Sequence, residues 1–414
     1  MLVDIEESGC GVNVKEENVS ILVYADDVVM CSDSPDKLDH MIGRLDSWCN
    51  KWKLKINVDK SQIVHFRRKR VQQSSHAFHL QGARLKYSNS YKYLGVIFDA
   101  HMTFKCAVDT LATASGRALG SVITKYKTLK YMHFNTFSLL YNTCVTPVMD
   151  YAAEIWGVNN FDKPLVIQNR AMRYFLGVHR FAPTLAVAGD TGWLSCNDRW
   201  TTSTLIFWNH LVNMVDSRLT KRLFMWDRMI CSKNWSSFVK DKLDLLDLSN
   251  SFYNLQKVNL EHRKHGLVIH ASNKWKNEVS LKPKLRTYAK IKHNLETENY
   301  LHINLSRSQR SLISQLRCGI LPLRLETGRY VGEEIDERVC TMCDERVTED
   351  EIHFVLKCNF YSAERVMLLE GVNHDSYGND NDILCYLMTH KIHKFGSFLE
   401  SAFLKRKNKM YTAN

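Results

Sequence analysis

Two adjacent carboxylates, Asp26 and Asp27, stand between two short apolar runs in residues 21–31. Apolar runs of this length predict buried strands, and a tight reversal through Ala25 would place both carboxylates at the tip of a hairpin. Ionised carboxylates beside apolar strands are costly to desolvate unless a cation neutralises them. Because Mg²⁺ prefers oxygen ligands and one or two carboxylates can hold it, the sequence predicts a metal-binding hairpin. The alternative is a solvent-facing Asp-Asp turn, since Asp is a good turn residue.

A second candidate metal site lies near the C-terminus, where four residues follow a Cys-x2-Cys-x9-His-x4-Cys pattern. These are Cys340, Cys343, His353 and Cys358. Three thiolates and an imidazole form a closed tetrahedral set that is typical of structural zinc. Four ordinary buried residues are the alternative, but a short run with four ligands at this spacing favours zinc.

The bulk composition is that of a folded protein with a polyanionic partner. The chain has 414 residues, 45% hydrophobic and 11% aromatic, which excludes a disordered tail. Lys and Arg exceed Asp and Glu by 56 to 44, giving a formal charge of +12. This excess favours nucleic acid as a partner. The sequence contains neither a bilayer-spanning apolar stretch nor a signal peptide, so we expect no membrane association and an intracellular location, in the nucleus or the cytoplasm.

Periodicity predicts the elements that would position these groups. Ser34 and Pro35 are typical of a helix start, and apolar residues then recur at three- and four-residue steps to Trp52. Residues 54–66 alternate as strand, turn and strand, and residues 80–85 and 91–98 predict two further strands.

The remainder of the chain is predicted to be mostly helical. The pattern from about residue 103 to 200 is helical, and Gly177 is well placed to end one of its helices. Residues 201–299 are expected to form a helical connector. Two basic runs, at residues 67–70 and 405–409, are interpreted as solvated segments; the alternatives are phosphate binding for the first and a nuclear signal for the second.

Several of these motifs, in this order, resemble the reverse transcriptases of non-LTR (LINE-type) retrotransposons. Tyr24-Ala25-Asp26-Asp27 resembles the metal-binding hairpin of the polymerase palm, and the run at 57–61 is similar to the palm element with its lysine. The run at 91–96 resembles the hairpin that grips the primer end. Residues 151–156 and 167–177 are similar to thumb helices. The cysteine-histidine set, with Arg317-Cys318-Gly319, residues 326–330 and Glu349-Asp350-Glu351, resembles the family's C-terminal zinc knuckle.

The resemblance implies an α+β fold with a mostly helical second part. The implied segments are a partial polymerase palm at 1–100, a helical thumb at 101–200, a helical connector at 201–300, a zinc-knuckle region at 301–365 and a C-terminal tail at 366–414. RNA template and DNA primer or target are the implied partners, and a basic surface around Arg317, Arg329 and Arg338 would contact their phosphates.

The resemblance also implies a two-metal nucleotidyl transfer. Two Mg²⁺ ions roughly 3.5–4 Å apart would activate the primer 3′-hydroxyl and stabilise the leaving pyrophosphate. Asp26 would be the principal ligand and Asp27 a weaker one, with Lys60 as the proton donor or charge stabiliser at the leaving group. A surface lysine without a catalytic role is the alternative for Lys60. The residues that would contact primer and template are Tyr24, Tyr93, Leu94 and Gly95.

One departure from the family pattern affects the expected activity. In this family another metal-binding aspartate lies on a strand well upstream of the hairpin, after a fingers region, whereas Tyr24 follows Met1 by only 23 residues. We therefore expect a C-terminal, truncated part of a reverse transcriptase that does not polymerise alone. The alternatives are a nucleic-acid-binding protein that uses the basic thumb and zinc knuckle, and a non-functional retrotransposon remnant.

Overall fold

The computed structural model describes residues 2–373 and 376–412, with side chains at 2, 260–265 and 411–412 outside the description. The fold is mixed, 58% helical with small sheets, in agreement with the predicted α+β class. The chain divides into two compact units. The first unit comprises Met1–Thr110, Ala152–Asn159 and Ser203–Val258, and the second comprises Leu111–Tyr151, Asn160–Thr202 and Asn259–Asn414.

All strands of the described residues lie in the first unit and pair two by two. They are β1 (Val12–Val14), β2 (Glu17–Val19), β3 (Ile21–Tyr24), β4 (Asp27–Met30), β5 (Gln62–Ile63), β6 (His79–Leu80), β7 (Ala83–Arg84), β8 (Lys86–Tyr87), β9 (Ser90–Tyr93) and β10 (Val96–Asp99). β1 pairs with β2, β3 with β4, β6 with β7 and β9 with β10 as antiparallel hairpins, whereas β5 and β8 are parallel.

Helices make up most of the rest. They are α1 (Leu2–Glu6), α2 (Pro35–Lys51), α3 (Lys105–Leu129), α4 (Phe134–Leu140), α5 (Thr146–Met149), α6 (Ala153–Trp156), α7 (Asp162–Leu176), α8 (Thr184–Thr191), α9 (Cys196–Asn213), α10 (Leu219–Ile230), α11 (Trp235–Leu245), α12 (Ser249–Tyr253), α13 (Leu260–Ser280), α14 (Arg286–Ile291), α15 (Arg307–Arg317), α16 (Arg324–Tyr330), α17 (Ser362–Leu369), α18 (Asp380–His390) and α19 (Ile392–Thr412). The helical character predicted for residues 103–299 is thus confirmed.

Helix α2 provides the core on which the small sheets pack. The Ser34 hydroxyl accepts a hydrogen bond from the Lys37 amide at 3.3 Å and Pro35 opens the helix, as predicted. Met41, Leu45 and Cys49 are buried against Ile5 of α1 and Ile21 of β3, and on another side Ile42 meets Phe78 and Leu80. The buried stripe therefore fixes the base of the β3–β4 hairpin through Ile21.

The prediction that apolar strands flank the acidic pair as buried strands is wrong. Ile21 is buried, but Leu22, Val23 and Val28 are 39%, 41% and 40% exposed. The reason is that β3 and β4 pair only with each other among the described residues, so most of the hairpin stands outside the α2 core.

Three further strand predictions need correction. In residues 54–66 the predicted turn is present at Val58–Lys60 and the short strand β5 follows it, but among the described residues no strand precedes the turn. Residues 80–85 span the hairpin of β6 and β7, and residues 91–98 span the hairpin of β9 and β10 rather than one strand each. Gly95 therefore occupies a turn, with φ of 85°.

A buried ion pair organises the helices of the second unit. The Arg317 guanidinium of α15 donates to both oxygens of Asp190 in α8, with Nε 3.0 Å from each, and its Nη2 lies 3.1 Å from the Glu298 carboxylate. The Tyr288 and Tyr300 hydroxyls donate to the same Asp190 carboxylate at 3.0 and 2.7 Å. Burial and the charge of Asp190 hold the pKa of both tyrosines well above the usual range, so both remain donors.

The burial of Arg317 contradicts its expected place in a basic surface. Its side chain is 2% exposed and its charge is neutralised by Asp190 and Glu298, which leaves none of it for an outside phosphate. Arg329 is exposed but pairs with Glu326, and Arg338 donates to the backbone carbonyls of Glu333 and Leu325.

The basic run at 405–409 is solvated only in part. It lies in α19, where Lys407, Asn408 and Lys409 are exposed but the Arg406 side chain is 5% exposed and forms an ion pair with the buried Glu349. Lys405 pairs with Glu364 at 3.0 Å. Apolar residues of the same helix, including Phe395 and Leu399, are fully buried, so one face of α19 belongs to the core of the second unit.

We predict that Arg317→Met lowers the free energy of unfolding of the second unit by about 3–5 kcal/mol, because the substitution leaves a buried carboxylate without its cation. Arg329→Met is the matched control, since it removes a half-exposed ion pair that contributes about 0–1 kcal/mol. Urea unfolding followed by circular dichroism measures both. Equal losses in the two variants would contradict the organising role of the buried pair.

Candidate functional site

The acidic hairpin is a two-residue reversal between β3 and β4. Tyr24 and Asp27 face each other as the last pair of the ladder, and Ala25 and Asp26 form the turn. Ala25 has φ of 52°, and Asp26 does not share the positive sign, which is the pattern of a type II′ turn. Glycine is usual at the first of these positions, so alanine bears a local strain of about 1–2 kcal/mol. The reversal predicted from the sequence is confirmed.

Both carboxylates of this turn are exposed. Within residues 2–373 and 376–412, neither Asp26 nor Asp27 forms an ion pair with a basic side chain. Two adjacent carboxylates without a cationic partner supply hard oxygen donors that suit Mg²⁺ together with water or substrate oxygens. Their exposure also fits the alternative of a solvent-facing turn.

The β9–β10 hairpin lies beside the acidic one. Burial raises the pKa of Tyr93, and the negative charge of Asp27 raises it further, which places the phenol within electrostatic reach of that carboxylate. Leu94 and Gly95 form the turn, with φ of 46° and 85°. Tyr93 and Asp27 therefore interact electrostatically although they are far apart in sequence.

Lys60 is held at the same end of the first unit through its backbone. The Tyr91 hydroxyl donates to the Lys60 carbonyl at 3.3 Å, and the Asn57 side chain caps the 3₁₀ turn by accepting from the Lys60 amide at 3.2 Å. The side chain is exposed, and in the part of the chain that the structure describes its amine forms no ion pair with Asp26 or Asp27. Tyr91 is a positioning contact that sequence patterning did not single out.

The four predicted zinc ligands converge at one point of the second unit. One ligand atom from each of Cys340, Cys343, His353 and Cys358 lies within 4.8 Å of the others. The two sulfurs of Cys340 and Cys358 are 3.9 Å apart, and the Cys343 sulfur is 3.4 Å from Nε2 of His353. Tetrahedral zinc with bonds of about 2.3 Å to sulfur separates its sulfurs by about 3.8 Å. The donor set and its spacing therefore fit a zinc ion.

Local backbone structure explains why these four residues meet. The Cys340 amide donates to the Val347 carbonyl at 2.8 Å, which closes a short reversal that carries Cys343. His353 begins a π-helical turn, and the Cys358 amide returns to the His353 carbonyl at 2.7 Å. The cysteine pair and the His-Cys pair thus come from two tight turns that face each other.

Acidic groups surround the cysteine-histidine set. Nδ1 of His353 lies 3.9 Å from the Glu345 carboxylate, an arrangement that orients a zinc-binding imidazole. Oε1 of Glu349 is 3.6 Å from the Cys340 sulfur, while its Oε2 accepts from Nη2 of Arg406 at 2.9 Å. The Arg365 guanidinium donates to the Cys358 carbonyl at 2.7 Å. The spacing of the motif predicted the four candidate ligands. It did not predict the contact of Arg406, because Arg406 is far from the motif in sequence.

Hydrogen bonds within the cysteine-histidine set shift the pKa values of its members in different directions. A hydrogen bond with Cys358, followed by burial, raises the pKa of Cys340 to about 12, whereas the same bond lowers the pKa of Cys358. The hydrogen bond to Cys340 also raises the pKa of His353. A bound dication would displace the protons for which these groups compete.

No helix among the described residues has both the length and the apolar character that crossing a membrane requires. The segment that contains the acidic and β9–β10 hairpins is similar to a known family. Residues 5–98 match the family described as reverse transcriptase (RNA-dependent DNA polymerase). This match includes Tyr24, Asp26, Asp27, Lys60 and the β9–β10 hairpin.

Relatives with similar sequences are polymerases of mobile elements. The chain is 26% identical over 162 residues to a probable RNA-directed DNA polymerase from transposon BS of Drosophila melanogaster, covering 37% of this chain and 18% of the relative. It is 26% identical over 201 residues to the RNA-directed DNA polymerase from mobile element jockey of Drosophila funebris, covering 45% and 21%. The probable polymerase from transposon X-element of Drosophila melanogaster is 24% identical over 179 residues, covering 41% and 20%.

The matches span about a fifth of the length of these curated relatives. Residues 5–98 are thus similar to the reverse transcriptase family, and part of the chain is similar to RNA-directed DNA polymerases of transposons.

Proposed function

We propose that this chain is part of an RNA-directed DNA polymerase of a non-LTR retrotransposon and that its own role is to bind template and primer. The observation that carries the proposal is the coincidence of the reverse transcriptase match at residues 5–98 with an exposed acidic hairpin. RNA template and DNA primer or target are the proposed partners.

The proposed roles follow the positions of the two hairpins. Asp26 is the principal Mg²⁺ ligand and Asp27 a weaker one, and the bound ion supplies Lewis-acid stabilisation of phosphoryl oxygens. Tyr24, exposed beside the acidic turn, packs near the nascent base pair. Lys60 supplies positive charge or a proton at the leaving group.

The β9–β10 hairpin is proposed to position the primer. Tyr93, Leu94 and Gly95 lie at its tip, and the electrostatic contact of Tyr93 with Asp27 supports a common surface for metal and primer. The turn leaves Gly95 exposed without a side chain, so a sugar-phosphate backbone can approach it closely.

Two exposed carboxylates on a two-stranded hairpin are expected to hold Mg²⁺ weakly. Among the described residues, the cysteine-histidine set is the only group of three or more metal-ligating side chains, so the hairpin offers two carboxylates without a third. Two-metal chemistry depends on ligands that clamp both ions. We therefore propose that the chain by itself binds nucleic acid but does not synthesise DNA.

We predict that Mn²⁺, used as a paramagnetic substitute for Mg²⁺, binds the acidic hairpin weakly. Electron paramagnetic resonance of the full chain should show a low-affinity site that is lost in an Asp26→Asn, Asp27→Asn double variant, because amides are poorer ligands than carboxylates. Asp59→Asn is the control, since Asp59 is also exposed and lies in the same unit. Unchanged Mn²⁺ binding in the double variant would favour the solvated turn.

Primer extension on an RNA template, with Mg²⁺ and deoxynucleotides, tests the catalytic part of the proposal. We expect no extension by the chain alone, because its acidic hairpin supplies only part of a two-metal site. Synthesis that requires Mg²⁺ and disappears in Asp26→Asn, but not in Asp59→Asn, would refute this expectation and establish the hairpin as a working catalytic centre.

The second unit supports the nucleic-acid-binding part of the proposal. Its cysteine-histidine set fits zinc, and the chain carries a formal charge of +12. A structural zinc ion orders the loops around it. We propose that this zinc knuckle, together with the helices at 101–200, contacts phosphates rather than base edges.

Removal of zinc is predicted to reduce both the stability of the second unit and RNA binding. Cys340→Ser should abolish the zinc content measured by mass spectrometry, lower the melting temperature and weaken RNA binding, as should chelation of the wild-type protein. Cys106→Ser is the control, since Cys106 is exposed and outside the set. Salt-independent RNA binding, or RNA binding that Cys340→Ser does not affect, would count against a knuckle that contacts phosphates. If the chain showed neither DNA synthesis nor RNA binding, an inactive remnant would be favoured.

A further inference from the structure

A solvent-facing cavity of about 580 Å³ lies in the second unit, where α7 ends and α15 begins. Its wall is formed by a close approach of the two helices. Gly177 ends α7 with φ of 75°, as predicted from the sequence, and the Ser311 hydroxyl of α15 donates to the Gly177 carbonyl at 2.6 Å. A Cβ at Gly177 would lie 2.9 Å from the Ser311 Cβ, so glycine permits this approach.

Arg310 fixes the angle at which α15 meets α7. It is 3% exposed, its Nε donates to the Phe175 carbonyl at 2.9 Å, and its guanidinium lies 4.3 Å from the centre of the Phe175 ring. This contact places Arg307, near the start of α15, at the cavity. The Arg307 guanidinium lies 4.6 Å from the centre of the Tyr174 ring, which orients it without neutralising its charge.

The cavity carries positive charge and lacks acidic groups. Arg173, His179 and Arg307 line it, and no carboxylate does. Within the described residues, neither arginine forms an ion pair with a carboxylate. The carboxylate of Glu400 accepts from Ser306, just before α15, but lies outside the lining.

Two polar atoms of the lining residues lack partners. Nε of Arg173 and the hydroxyl of Tyr174 are both buried and make no hydrogen bond, while Nη2 of Arg173 donates to Ala182 and Thr184. A buried donor without a partner costs about 1–3 kcal/mol. The beginning of α15 is already capped, since the Ser306 hydroxyl accepts from the Gln309 amide.

We propose that this cavity binds a phosphate group of a nucleic-acid backbone. Two guanidinium groups, those of Arg173 and Arg307, line the cavity and match the geometry of phosphate oxygens. The volume exceeds that of one phosphate and leaves room for the adjoining sugars. The choice of nucleic acid as the source depends on the function proposed above, whereas the phosphate chemistry depends only on the cavity.

Fluorescence anisotropy with a labelled RNA–DNA hybrid, measured on the zinc-loaded full chain, tests the proposal. Arg307→Glu should weaken binding about tenfold and reduce the slope of log affinity against log salt by about 1. Arg180→Glu is the matched control, because it makes the same change of charge on a nearby exposed arginine outside the lining. Arg307→Glu should remain folded, since an acidic residue is favourable in the first turn of a helix.

Melting temperature in the presence of sodium pyrophosphate provides a measurement independent of nucleic acid. The wild-type chain and Arg180→Glu should be stabilised, and Arg307→Glu should not. Identical affinity, salt slope and pyrophosphate response in the two variants would overturn the proposal and leave the proposed function standing. An Arg307-dependent pyrophosphate response without any hybrid binding would overturn nucleic acid as the source, and with it the proposed function, but retain the phosphate cavity.

Discussion

The buried ion pair between Asp190 and Arg317 is the interaction on which the second unit depends most. It joins α8 to α15, and the hydroxyls of Tyr288 and Tyr300 attach α14 and the segment after it to the same carboxylate. Each partner alone would be a desolvated charge, so the helices must assemble together or leave that charge exposed. The same helix α15 presents Arg310 to α7 and Arg307 to the cavity. A single buried carboxylate thereby fixes the position of a surface that carries unneutralised cations.

The two candidate metal sites differ in the way their ligands are held. The carboxylates of the acidic hairpin project from a two-stranded sheet into solvent, and the base of the hairpin reaches the α2 core through Ile21 and Met30. The cysteine-histidine set is enclosed by hydrogen bonds to Glu349 and by the contacts of Arg365. An enclosed site selects one geometry, whereas an exposed one accepts whatever oxygen ligands a substrate brings. This contrast suits a structural ion in one unit and a substrate-dependent ion in the other.

Local patterns predicted much of this structure. The Ser34 cap, the glycine that ends α7 and the meeting of four zinc ligands were all accessible, because each depends on residues close in sequence. The wrong predictions concern burial, which depends on contacts between residues far apart in sequence. An apolar strand is buried only if another element packs on it, and the exposed Leu22 and Val23 lack such a covering element among the described residues. A basic residue such as Arg317 is buried when a carboxylate from a distant part of the sequence forms an ion pair with it. Neither condition can be read from periodicity.

The ion pair of Glu349 with Arg406 has a consequence for the order in which the chain can fold during synthesis. Glu349 contacts the Cys340 sulfur and is fully buried, yet its cationic partner lies 57 residues later, in the last helix. A ribosome releases the four metal ligands well before it releases Arg406. Before Arg406 is available, burial of Glu349 would leave its negative charge without a cationic partner. The cysteine-histidine set can therefore reach its final packing only after translation of the C-terminal helix is nearly complete.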